Sequence, residues 1–135
     1  MSLIIWLDRY DTGITEVDIQ HRRLAGFINT LFDAISHKDK NSILNQTLTD
    51  LINYTIYHFK LEEDLMQKHH YNEYDAHKWE HKLFVEKINH YIEKIQINDN
   101  KSLLAIINYL KDWLLNHIMI TDKKYVPAIL PSMSK

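Results

Sequence analysis

Five histidines and two carboxylates stand at spacings that would let them hold a pair of metal ions: His21, then His58 with Glu62, then His77 with His81, then His117 with Asp122. His58–Glu62 and His77–His81 are i, i+4 pairs. Such a pair advances about 400° around an α-helix, so both side chains share one face with Cβ atoms about 5–6 Å apart. Two imidazoles so placed can bind one ion from a single helix. A histidine fills one position on one ion, whereas a carboxylate can bridge two. His117 and Asp122 are five apart, about 140° off a common face in an ideal helix. That pair converges only if the helix is locally distorted, as a π-bulge would do.

Apolar periodicity defines the elements that must position these groups. Residues 1 to about 15 read as an irregular arm containing Trp6, Tyr10 and Gly13. Thr15 and Asp18 resemble a weak capping box, with Asp in place of Glu or Gln. A first helix then runs to about His37, with His21, Leu24, Ile28, Leu31 and Ile35 along its inward stripe. Asp39, Lys40 and Asn41 make a polar break. Ser42 is read as the N-cap of a second helix reaching about Met66. Its stripe is Leu44, Leu48, Leu51, Thr55, His58, Glu62 and Leu65. A third helix covers about Glu73 to Ile97, with Tyr74, His77, His81, Phe84, Ile88, Tyr91 and Ile95 inward. Asn98, Asp99 and Asn100 signal a turn. A fourth helix begins near Ser102 and carries Leu103, Ile107, Leu110, Leu114, His117 and Thr121. Pro127 and Pro131 are expected to stop helical structure beyond Tyr125.

Four long helices with short polar links predict an all-α protein. The architecture expected is an up-down-up-down four-helix bundle with an irregular N-terminal arm, one domain over residues 1–135. The two glycines and two prolines are too few for a turn-rich β architecture. In antiparallel alternation His21 near the start of the first helix and His58–Glu62 near the end of the second fall at one end. His77–His81 near the start of the third and His117–Asp122 near the end of the fourth fall at the same end. Burying two carboxylates there without a cation would be costly.

The rest of the sequence narrows the class. There are no cysteines, which excludes disulfides, thiolate zinc sites and Cys-ligated iron–sulfur clusters. A formal charge of −2 gives no electrostatic case for nucleic acid or an anionic membrane. No apolar run is long enough to span a bilayer, and the start MSLIIWLDRY does not read as a signal peptide, so a cytoplasmic location is expected. His90 falls on the opposite face from His81. His37, His69 and His70 fall at helix ends or links, and all four are read as solvated.

Imidazole with carboxylate suits iron, zinc, manganese or copper, so the ligand types alone do not choose the metal. The pattern as a whole resembles the hemerythrin family in its bacterial single-domain form. The resemblance rests on Gln20-His21 near the first helix start, H-x-x-x-E at His58 to Glu62, H-x-x-x-H at His77 to His81 and H-x-x-x-x-D at His117 to Asp122. The Trp6 arm and the Asp18-Ile19-Gln20-His21 stretch add to it, and it covers nearly the whole chain. It implies a cofactor of two iron ions in an oxo- or hydroxo-bridged di-iron centre, with dioxygen as the ligand. By family pattern His77, His81 and His117 would hold one iron and His21 and His58 the other, with Glu62 and Asp122 bridging. Together with the bridging oxygen, that set fills about eleven of the twelve positions of two octahedral ions, leaving one on the two-histidine iron. Leu24, Phe59, Trp113, Leu114 and Ile118 would form the apolar oxygen pocket, although plain core packing demands the same residues. Tyr125, one turn past Asp122, would act as an outer partner that tunes the ligands.

The function expected is reversible dioxygen binding for carriage, storage or delivery, without catalysis. An oxygen or redox sensor acting through a separate partner is one alternative. A di-iron oxidase, peroxidase or ferroxidase is another, disfavoured because no Glu stands three residues before any histidine. A zinc or purely structural site is a further option. A monomer or weak dimer is expected, with an unidentified oxygen-accepting protein as a further partner.

Overall fold

The stripes read from the sequence lie on helices, except Ile35, which falls just past the end of the first, and Ile95, which lies outside the described residues. The computed structural model describes residues 3–36, 40–94 and 100–133. A 3-10 turn, Asp8–Tyr10, precedes α1 (Thr15–Ala34), α2 (Lys40–Lys68), α3 (Tyr74–Lys94) and α4 (Asn100–Asn116). No strand occurs among the described residues. α1 packs along α2 and α4, and α2 packs along α3. Short links between long neighbours make this an up-down-up-down four-helix bundle. Leu24, Ile28 and Leu31 of α1 meet Leu44 and Leu51 of α2, Phe84 and Ile88 of α3, and Leu103, Leu110 and Leu114 of α4 in one core. None of its helices is long and apolar enough to cross a membrane among the described residues.

Helix starts differ from the sequence reading. α2 includes Lys40 and Asn41, so Ser42 lies inside the helix rather than at its N-cap. α4 begins at Asn100, two positions before Ser102. Polar residues suit a solvated first turn as well as a link, which is why polarity alone misplaced both boundaries. His37, Asp39, Ile95, Asn98 and Asp99 lie outside the described residues.

The capping box is also different. Ile14, not Thr15, is the N-cap of α1, and it makes no side-chain cap bond. Asp18 instead accepts from the Thr12 N–H at 2.7 Å, the Thr12 hydroxyl at 2.8 Å and the Gly13 N–H at 3.0 Å. Gly13 makes this turn at a φ of 91°, a conformation that only glycine adopts freely. The arm is tied to α1 again where Asn29 exchanges two hydrogen bonds with the backbone of Ile4.

α2 closes with a left-handed turn at His70, whose φ is 55°. The Tyr71 N–H donates to the Met66 carbonyl at 2.9 Å and the His70 N–H to the Gln67 carbonyl at 3.2 Å. These are the two bonds of a Schellman ending, here built on histidine where glycine is usual. The turn sends the chain into α3 and sets the height of His77.

The end of the chain corrects the expectation about proline. After α4 a π-helical segment, His117–Asp122, leads into α5 (Lys123–Met133), and both Pro127 and Pro131 lie inside α5. Tyr125 and Ile129 are fully buried against Ile14, Val17 and Met66 in a second apolar cluster. That burial outweighs the backbone bonds that two prolines forgo. Pro127 also stands five residues past Asp122, where a further π-type bond would need an N–H. Its lack of one suits the return to α-helical winding.

Candidate metal centre

All seven predicted side chains are buried and meet at one end of the bundle. His21 comes from α1, His58 and Glu62 from α2, His77 and His81 from α3. His117 and Asp122 are the first and last residues of the π segment. The wider winding of that segment brings the i, i+5 pair together, with His117 Nε2 2.9 Å from Asp122 Oδ1. The distortion that the spacing required is present at those six residues.

The two carboxylates divide their oxygens. Glu62 Oε1 faces His58 Nε2 and lies 3.5 Å from His21 Nε2. Glu62 Oε2 lies 3.2 Å from His77 Nε2 and 3.8 Å from His81 Nε2. Asp122 Oδ2 lies 2.9 Å from His21 Nε2, while Oδ1 lies 3.1 Å from His77 Nε2. Each carboxylate thus presents one oxygen to a two-histidine group, His21 and His58, and the other to a three-histidine group, His77, His81 and His117. In each group one ligand atom per residue falls within 4.8 Å of all the others.

A cation fits this arrangement better than hydrogen bonding does. His21 Nε2, His58 Nε2, His77 Nε2 and all four oxygens of Glu62 and Asp122 are buried without an aligned hydrogen-bond partner among the described residues. His81 Nε2 and His117 Nε2 approach to 3.1 Å. Outer partners set which nitrogens carry lone pairs inward. Gln20 Oε1 can only accept, so His58 Nδ1 donates to it at 2.7 Å and His58 Nε2 is left with its lone pair. Glu63 Oε2 takes the same role for His81 Nδ1 at 3.0 Å. Neutral imidazoles and ionised carboxylates at these distances are a donor set for transition-metal ions.

In the metal-free protein the same contacts move protons. Burial alone would lower His21 and His77, but the adjoining carboxylates of Asp122 and Glu62 outweigh it and raise both to about 9. Burial lowers His81 below its usual value despite the contact with Glu63. Burial would raise Glu62 and Asp122; the charge on nearby histidines and contacts with them instead hold both carboxyls well below their usual range.

Rings fix the histidines from outside. Phe59 stacks on His81 at 3.7 Å and an interplanar angle of 3°. Trp113 stacks on His117 at 4.3 Å and on Phe84 at 3.9 Å. Leu24, Phe59, Trp113 and Leu114 also line a cavity of ≈ 10 Å³ beside His21, His58 and His117. Ile118 is fully buried in the same core but does not line it. Tyr125 is fully buried, its ring 5.5 Å from His77, and its hydroxyl makes no well-aligned hydrogen bond among the described residues. Burial, then the charges of Glu62 and Asp122, push that phenol well above its usual value, so it stays neutral.

Two participants escaped the sequence reading in this role: Gln20 as the acceptor for His58, and Glu63 as the acceptor for His81. Gln20 precedes His21 and Glu63 follows Glu62, so neither extends an inward stripe. Adjacency to a ligand was their one available signal. Of the histidines read as solvated, His70 and His90 are exposed and His69 is half-buried.

The family model "Hemerythrin HHE cation binding domain" matches residues 12–129, a span that contains every residue of the cluster. The chain belongs to the hemerythrin family. It is 36% identical over 135 residues to the bacteriohemerythrin of Pseudomonas aeruginosa PAO1, covering 100% of this chain and 87% of that protein. It is 32% identical over 130 residues to the bacteriohemerythrin of Methylococcus capsulatus Bath, covering 96% and 98%. A crystal structure of wild-type hemerythrin superposes with a TM-score of 0.81 at 30% identity, covering 95% of this chain and 98% of that one. Hemerythrin membership and the buried histidine–carboxylate cluster together make this a metal-binding bundle.

Proposed function

We propose that this hemerythrin-family protein binds dioxygen reversibly at a non-haem di-iron centre, for carriage, storage or delivery. The observation that carries the reading is the division of Glu62 and Asp122 between two unequal histidine groups. His77, His81 and His117 would hold one iron, His21 and His58 the other, and the two carboxylates would bridge them. When bound, two such ions supply the electrons for reversible dioxygen binding.

The chain's own residues do the remaining work. Five histidines and two bridging carboxylates leave the fewest protein donors on the two-histidine side. The small cavity touches both of those histidines. Its walls from Leu24, Phe59 and Leu114 are apolar and buried, which keeps water and stray protons away from a bound ligand. Gln20 and Glu63 hold His58 and His81 in the tautomer that ligates through Nε2.

The assignment of Glu62 is tested by Glu62→Ala. Removing a bridge shared by both ions should cost the variant much of its iron, measured per chain after reconstitution. Retention of two irons by that variant would refute the bridging role.

A further inference from the structure

A second apolar cavity adjoins the one at the metal site. It also has a volume of ≈ 10 Å³, and it shares Leu51, Thr55, Phe84 and Leu110 with the first. Its outer wall includes Ile52 and Val85, on α2 and α3, both half-buried. Val85 also lines an open surface groove of ≈ 490 Å³ between the same two helices. The second cavity therefore adjoins both the groove, through Val85, and the cavity touching His21, His58 and His117.

Two features bear on what could pass. The second cavity offers water at most one polar partner, the Thr55 hydroxyl oxygen. Thr55 supplies its one hydroxyl, which is already donated to the Leu51 carbonyl at 2.7 Å. A water needs two to four such partners, whereas an apolar diatomic molecule needs none. The direct way from groove to metal site is closed by Phe59, which lines both. That ring is buried and locked flat on His81. Ile52 and Val85 carry no such stacking and stand nearer solvent.

We propose that the second cavity is a docking site for apolar diatomic gases, on a route that runs from the groove past Val85 and Ile52 to the metal site. As an access route the inference rests on the dioxygen reading. Leu51, Thr55, Phe84 and Leu110 form the partition between the two cavities. Phe84 is held by its stacking on Trp113, so gas crosses when the unstacked side chains move.

Xenon is the probe for the site itself. Crystals of the iron-loaded protein under xenon pressure should show density among Ile52, Thr55, Val85 and Leu110, whatever the natural ligand is. Oxygen kinetics test the route. Ile52→Phe and Val85→Phe, which narrow the outer wall without touching a ligand, should slow association and dissociation severalfold by the same factor and leave affinity unchanged. No xenon in the second cavity would overturn the docking site. Unchanged rates in both folded variants, or altered affinity with unchanged association, would overturn the route. Wild-type protein that takes up xenon but binds no oxygen would refute the dioxygen reading and leave the gas site standing.

Discussion

The side chain of Gln20 on α1 accepts a 2.7 Å hydrogen bond from His58 Nδ1 on α2. Both groups are buried, and the bond turns the other nitrogen of His58 toward Glu62. A glutamine that touches no proposed metal position thereby sets the tautomer of one that does.

Gln20→Leu should therefore weaken metal binding while the bundle stays folded. Loss of an outer partner commonly costs about 10- to 100-fold in metal affinity. Competition against a chelator of known strength measures it, with helical content followed by circular dichroism. Wild-type affinity in a folded variant would remove Gln20 from the site.

Leu114 lies on the cavity wall beside the two-histidine group and is buried. Leu114→Ala should admit water there and speed autoxidation of the oxygenated protein, with iron content unchanged. Such a truncation also costs about 2–5 kcal/mol of stability by leaving a void, so decay is compared at a temperature where both proteins are folded. An unchanged lifetime of the oxygenated form would count against the wall role.

Proton binding gives the metal-free and metal-loaded proteins different responses to pH. In the metal-free chain His21 and His77 are raised from 6.5 to about 9. Groups raised on folding contribute stability that is full below the unfolded value and lost as pH rises through the folded one. Metal-free melting temperature should thus fall between about pH 6.5 and 9. Glu62 and Asp122, held low, add stability present above their unfolded values of 4.5 and 3.8 and lost on acidification. Metal ligation holds these imidazoles neutral, as they also are in the unfolded chain above 6.5, so the loaded protein should lose no stability over the same interval. Parallel melting curves for the two forms from pH 6 to 9 would contradict the placement of these histidines.

How much was legible in the sequence follows from what each feature depends on. His58, Glu62, His77 and His81 could be placed because each continues a stripe whose period is set by the α-helix. His117 and Asp122 could be paired only on condition of a distortion, and the π segment supplies it. Helix beyond Tyr125 was not legible. It depends on Tyr125 and Ile129 docking against Ile14, Val17 and Met66, contacts distant in sequence that override the local effect of Pro127 and Pro131. Gln20 and Glu63 were not legible as partners because their roles depend on side-chain directions across two helices. Ile118, read with the pocket because it flanks His117, is fully buried in the same core.

The most direct test of the central claim is iron per chain together with absorption spectra of the reduced protein before air, after air and after argon purging. Reversible dioxygen binding at a di-iron centre predicts two irons per chain and a visible charge-transfer band that appears in air and fades on purging. One iron or none, or two irons that pass straight to a stable oxidised spectrum unaffected by argon, would contradict it.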